Sequence, residues 1–194
     1  MVETAAELFR QQGYHATAFS EVVARSGAPR GSIYFHFPGG KEELAVAAAA
    51  LASDEAAASV EAASRQARDA AGFARAVTAF VCQRLESSDF RKGCAVATMV
   101  LELAPHVEPV RVEFDKGFMV WRRGMAAEFA RYGYEPARAD ALAVLFMSAL
   151  EGALIIARAA RTVEPLETAT EAFIALLEPP PSPKRRRRRP PAPT

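Results

Sequence analysis

Apolar residues recur at helical spacing along most of the chain, and no segment shows the strict alternation of a half-buried strand. Ala5, Leu8 and Phe9 share one face with no capping residue ahead of them, so a first helix is already under way at Met1 and ends at Gly13. Phe19, Val22 and Val23 make the next face, with Thr17 placed to cap it through its side-chain oxygen. Gly27 breaks that helix, and Pro29 stands where the first position of a following helix tolerates proline. On this short helix Ile33 and Phe37 share one side and Arg30 and Tyr34 another. Leu8, Phe9, Val22, Val23, Ile33 and Phe37 thus predict a core too small to stand without the next helix.

That next helix reads as one long rod, because Lys41 to Ala71 contains neither Gly nor Pro and is dominated by alanine. Phe73, Val77, Phe80 and Val81 mark a further stripe, Ser87-Ser88-Asp89 a loop, and Cys94 to Ala104 a helix that Pro105 ends. Another starts near Pro109 and carries Val110, Phe114, Phe118, Trp121, Met125 and Phe129 to Gly133. Ala137 to Arg161 and a last helix opened by Pro165 complete an all-α fold of about nine helices. The expected organisation is a three-helix head over residues 1–44, a helical body over 45–178, and a Pro/Arg-rich tail over 179–194.

Composition suits a globular protein, with 51% apolar and 24% charged residues. No apolar run approaches the roughly 20 residues of a membrane span, and no cationic start with an apolar run marks a secretion signal. Cys82 and Cys94 fall in apolar helical patterns, where two reduced, buried thiols are the plain expectation. The net charge of +1 is uneven: Lys184 to Arg189 hold six positive charges, which leaves the rest of the chain at −5. The tail, PPPSPKRRRRRPPAPT, cannot form a core, and disorder is expected there. It is either a solvated extension or an aid to non-specific DNA affinity.

Two short helices joined by a glycine-containing turn are the geometry of a helix-turn-helix, whose second helix enters the major groove. Charge agrees. Between Glu21 and Glu42 no acidic residue occurs, while Arg25, Arg30 and Lys41 supply cations. No P-loop, GxGxxG, HExxH or Cys/His cluster is present, so the sequence suggests neither an enzyme nor a metal or cofactor site.

The run AAELFRQQGYHATAFSEVVARSGAPRGSIYFHFPGGKEELA resembles the DNA-binding domain of TetR/AcrR-type transcriptional regulators, with Gly13, Tyr14, Thr17, Gly27, Gly31, Tyr34, Phe37, Lys41 and Leu44 in register. GCAVATMVLELAP and ALEGALIIARAAR resemble the body of the LmrA/YxaF-like branch. The resemblance implies a homodimer joined through its last two helices, a palindromic double-stranded DNA operator, and release of that DNA by a small apolar or aromatic effector. It also implies a cytoplasmic, nucleoid-associated protein with no membrane partner. Such proteins usually have further residues ahead of this start, so the first helix reads as truncated. Phe35 stands where a polar residue or histidine is usual, and Pro29 where serine is common.

Phosphate contacts position a helix-turn-helix and base contacts specify sequence. Thr17 at a helix start suits a phosphate. The resemblance assigns backbone contacts to Tyr34, His36 and Lys41. Arg30 can grip guanine O6 and N7, while Pro29, Gly31 and Ser32 complete the reading surface. In the body, Phe73, Phe80, Met99, Phe118, Trp121, Phe129, Phe146 and Met147 supply the aromatic and sulfur bulk of an adaptable pocket. Glu102 and Glu151 lie in apolar helices and, if buried, would need a cationic ligand, His106 or an arginine such as Arg158. Ala149, Gly152 and Ala153 permit close helix approach, and Leu150, Leu154, Phe173 and Leu177 add apolar surface for a dimer. The leading expectation is a ligand-responsive dimeric repressor. The alternatives are a helical small-molecule binding module without operator binding, and a non-specific DNA binder driven by the Arg-rich tail.

Overall fold

The computed structural model describes residues 1–29 and 33–177, without the side chains of Ile33 and Tyr34. Among the described residues there are nine helices and no strand. The head consists of α1 (Val2–Gln12), α2 (Phe19–Ser26) and α3 (Ile33–His36). The body consists of α4 (Gly40–Gln66), α5 (Ala70–Ser87), α6 (Ala95–Leu103), α7 (Glu108–Arg131), α8 (Pro136–Ala160) and α9 (Glu164–Ala175).

Breakers set most of the boundaries. Gly13 ends α1 at φ +84° and Gly27 ends α2 at φ +68°, a region that favours a residue without Cβ. Pro109, Pro136 and Pro165 each sit in a helical first turn, where no intrahelical N–H is lost.

Two expectations fail locally. The rod predicted over Lys41 to Ala71 breaks: α4 stops at Gln66, Ala67 is extended, and Asp69 caps α5 by accepting the Gly72 N–H at 2.7 Å. The carboxylate supplies an acceptor that an alanine-rich continuation lacks. Thr17 does not cap α2 either. Ala18 holds that position, and the fully buried Thr17 hydroxyl donates to the Gly13 carbonyl at 2.6 Å, pinning the turn between α1 and α2.

The apolar residues form two clusters. One joins Leu8, Phe9 and Val22 of the head to Leu44, Ala45 and Ala48 of α4, then to Met99 and Leu103 of α6 and to Val110 and Phe114 of α7. The head core is therefore completed by the body, as its small size requires. Val23 is buried beside it and Phe37 packs half-buried against it. The second cluster fills the far end between α5, α7, α8 and α9. Its centre is aromatic, with Phe129 edge-on to Phe73 at 5.7 Å and Phe146 stacked on Phe173 at 4.6 Å. A buried Thr78–Thr170 hydroxyl pair at 2.6 Å ties α5 to α9. Between the clusters α4 crosses α7 closely, since a Cβ at Gly117 would overlap the Ser53 hydroxyl.

Contrary to the apolar-run expectation, α8 is, at 25 residues, long and apolar enough to cross a membrane by length and composition alone. Its buried side, with Leu142, Phe146, Leu150 and Ala157, belongs to the second core cluster. Apolar composition here comes from a core helix whose outer face is apolar as well.

Candidate nucleic-acid interface and body cavity

The head presents its turn and α3 to solvent. Pro29 and His36 are exposed, and Phe35 stands 82% exposed with its ring edge-on to His36 at 5.2 Å. Arg30, Gly31, Ser32 and the side chain of Tyr34 lie outside the described residues, as does the tail. Lys41, in the first turn of α4, carries its ammonium over the Tyr14 ring at 4.0 Å from the centroid. Burial lowers its pKa, partly offset by the Glu102 carboxylate. Thr17 brings no hydroxyl to this surface, since its side chain is buried beneath the turn.

Several polar joints fasten the head to the body. Glu102 of α6 accepts the backbone N–H groups of Tyr14 at 3.1 Å and His15 at 2.6 Å. Its partner is thus the head backbone, neither His106 nor Arg158. Arg158 near the end of α8 donates to the Gln11 carbonyl at 2.8 Å. Lys92 pairs with Glu7 at 2.7 Å, and the Gly93 N–H donates to the Arg10 carbonyl at 3.2 Å.

Beside these joints lies a cavity of about 90 Å³ between α4, α5, α7 and α8, closed on one side by α1 and the start of α6. Of the eight residues predicted to line a pocket, Phe80, Phe118 and Trp121 do so here. Phe73, Phe129 and Phe146 are instead the aromatic centre of the body core, and Met99 is fully buried in the cluster shared with the head. Met147 faces a separate outer groove with Asp115 and Arg122. Aromatic bulk marked the core and the cavity alike, because both are apolar.

The polar lining was harder to foresee. Arg10 of α1 reaches the wall and pairs with Glu55, whose carboxylate also takes Arg84 at 3.0 Å. Glu151 comes from α8, and its carboxyl meets the Cys94 thiol. Burial pushes the Glu151 pKa up, with the Cys94 contact opposing. Burial and Glu151 raise the Cys94 thiol strongly, and burial lifts Cys82 to about 11, so neither is a reactive thiolate. A charged residue inside an otherwise apolar helix was the signal for Glu151. Arg10 gave none, since a lone arginine near a helix end normally faces water.

On the outer side, α8 exposes Val144, Leu145, Ile155 and Ile156, with Ile155 at 64%, and Leu176 lies beyond α9. Gly152 is exposed with open space before it, and Ala149 is half-buried. Leu150, Ala153 and Phe173, predicted for a dimer interface, are buried in their own subunit. Leu154 lines the cavity, and Leu177 is half-buried against the core. Among the described residues no cluster of His, Cys, Asp and Glu could hold a metal ion.

Two family models match separate parts of the chain. Residues 1–48 match the family model described as bacterial regulatory proteins, tetR family, and residues 70–172 match that of the transcriptional regulator LmrA/YxaF-like C-terminal domain. The chain is 38% identical over 179 residues to an uncharacterized HTH-type transcriptional regulator of Mycobacterium tuberculosis, covering 86% of this chain and 87% of that one. It is 31% identical over 181 residues to the uncharacterized regulator YxaF of Bacillus subtilis, covering 91% and 93%. A crystal structure of a TetR transcriptional regulator from Legionella pneumophila shares the fold, with TM-score 0.80 at 21% identity over 91% of this chain and 95% of that one. The chain belongs to the TetR family of DNA-binding transcriptional regulators, in its LmrA/YxaF-like branch.

Proposed function

We propose that the protein is a homodimeric repressor that a small, largely apolar ligand releases from a palindromic operator. The observation that carries this reading is the cavity wall: Arg10 belongs to the DNA-binding head, while Glu151 and Leu154 belong to the body. A ligand between them touches both parts at once. The cavity volume of about 90 Å³ is smaller than the roughly 150 Å³ that admits benzene, so a ring-bearing ligand must push the wall outward. Because Gln11 of α1 is tied to α8, and Tyr14 and His15 in the turn after α1 are tied to α6, outward movement there is transmitted to the head.

Residues 1–44 then act as the reading head, 45–178 as the ligand and dimer body, and 179–194 as a tail of added positive charge. Pro29, Arg30, Gly31, Ser32, Tyr34, His36 and Lys41 are the DNA-facing set, and the exposed Phe35 joins it. A phenyl ring there suits a thymine methyl group. The exposed apolar stripe of α8 supports dimerisation through the last two helices, which would set two heads on half-sites about 34–36 Å apart. Such a protein works on the chromosome, in the bacterial cytoplasm.

Selection of binding sites from random DNA, followed by gel shift of the recovered site with and without candidate ligands, tests the reading. Recovery of a palindrome whose complex dissociates on ligand addition is expected. Equal affinity for recovered and random DNA would leave only a non-specific binder. No DNA binding at all would leave a small-molecule module.

A further inference from the structure

The cavity has a chemical bias that its apolar lining conceals. Among the described residues, two buried side-chain nitrogens are without a hydrogen-bond partner, Arg10 Nε and Trp121 Nε1. Both residues line this one cavity, although they come from α1 and α7. Both atoms are donors. A buried donor left unpaired is costly, so two in one cavity mark a place where an acceptor is received.

The charges point the same way. Arg10 and Arg84 share the single carboxylate of Glu55, which leaves that end with one positive charge in excess. Lys92 is balanced by Glu7. The hydroxyls of Ser53 and Ser59 are turned back to Ala49 and Ala56 in their own helix. Glu151, opposite, meets the Cys94 thiol, and burial favours its neutral form.

We propose that the cavity binds an arene carboxylate, its apolar ring among Phe80, Phe118 and Trp121, with one carboxylate oxygen on Arg10 Nε and an oxygen of the same ligand on Trp121 Nε1. This class rests on the ligand-responsive reading above and narrows it: an anion, not an amine directed at Glu151. Arg10 gives the choice its consequence, because the residue that holds the anion sits in the last turn of the first head helix.

Calorimetric titration of the intact protein with 4-isopropylbenzoate, the matched benzyl alcohol and the matched benzylammonium tests the proposal. The carboxylate is expected to bind at least tenfold more tightly than either analogue. Trp121→Phe, which keeps the ring and removes the N–H, should weaken the carboxylate several-fold and leave the alcohol far less affected. Arg10→Lys, which keeps a cation for Glu55 and removes Nε–H, should do the same, with thermal unfolding checking that both variants fold. Equal binding of the three probes, preference for the ammonium, or indifference to both substitutions would overturn the anion assignment. The operator assay is a separate readout. A carboxylate that binds without releasing DNA sustains this assignment and defeats the switch, whereas release by amines alone sustains the switch and defeats this assignment.

Discussion

The Glu102 carboxylate holds the backbone N–H of His15 at 2.6 Å, and through that bond a body helix clasps the turn that follows the first head helix. The second oxygen takes Tyr14 N–H at 3.1 Å, so one side chain satisfies two backbone amides of the turn that follows α1. Glu102→Ala should therefore cost about 1–3 kcal/mol, the range for hydrogen bonds to a charged group, reduced by the partial exposure of the site. Urea unfolding gives the loss, and amide exchange should speed up at Tyr14 and His15. Unchanged exchange at these two amides would show the clasp to be incidental.

Gly13 makes that clasp possible. Its φ is +84°, and a Cβ there would overlap Glu102 Oε1. Gly13→Ala combines an unfavourable backbone conformation with displacement of the carboxylate, and about 1–3 kcal/mol of destabilisation is expected. The double variant with Glu102→Ala should lose less than the sum of the two single losses, since the overlap disappears. Strict additivity in urea melts would refute the coupling.

Phe35 is so exposed that its removal should not affect the fold. Phe35→Ala is expected to stay within about 0.5 kcal/mol of the parent in stability while binding the selected operator several-fold more weakly. Parent-like operator affinity in anisotropy titrations would take Phe35 off the reading surface.

On the outer face of α8, Ile155→Glu places a charge in the apolar stripe without touching the core. Light scattering should find a monomer, and operator affinity should fall with it, because two half-sites are then no longer read together. A stable dimer of this variant would move the interface elsewhere.

Glu151 gives a pH signature. A carboxyl raised by burial from its ordinary value of 4.5 binds its proton more readily in the folded chain than in the unfolded one. Its effect on stability is thus neutral below 4.5, becomes a loss as pH rises toward the folded value, and stays constant above it. Comparing parent and Glu151→Gln by denaturant unfolding over about pH 4 to 8 should show the parent losing ground in that direction. A flat or opposite difference curve would mean the carboxyl is not held up by burial.

What could be read beforehand depended on whether the signal was local. Helix ends at Gly13 and Gly27 and close to Gly133, and starts close to Pro109, Ala137 and Pro165, follow from backbone chemistry that acts within a few residues, and they stand within two residues of where the spacing put them. The end of α4 escaped notice because Asp69, a capping residue, sits among alanines that favour continuing the helix. Leu150 and Ala153 face inward where the spacing predicts a dimer surface, because α8 is apolar nearly all round and periodicity then cannot say which side faces inward; Phe173 of α9 is buried likewise. The cavity's aromatic wall was partly legible. Arg10, which comes from a helix of the head, was not, since its neighbours there are remote in sequence.

Within eight residues of α8, Glu151 and Leu154 line the cavity, Ile155 faces outward, and Arg158 grips the head. On the proposed function, a chain drifting toward a new ligand cannot freely vary this stretch, because cavity lining, outer apolar face and joint to the head lie within about two turns of one another. Phe80 and Val81 on α5 line the same cavity and, among the described residues, carry none of the joints to the head named above. Evolution, or an engineer building a biosensor from this scaffold, should find new specificities mostly by changing α5 and leaving α8 alone.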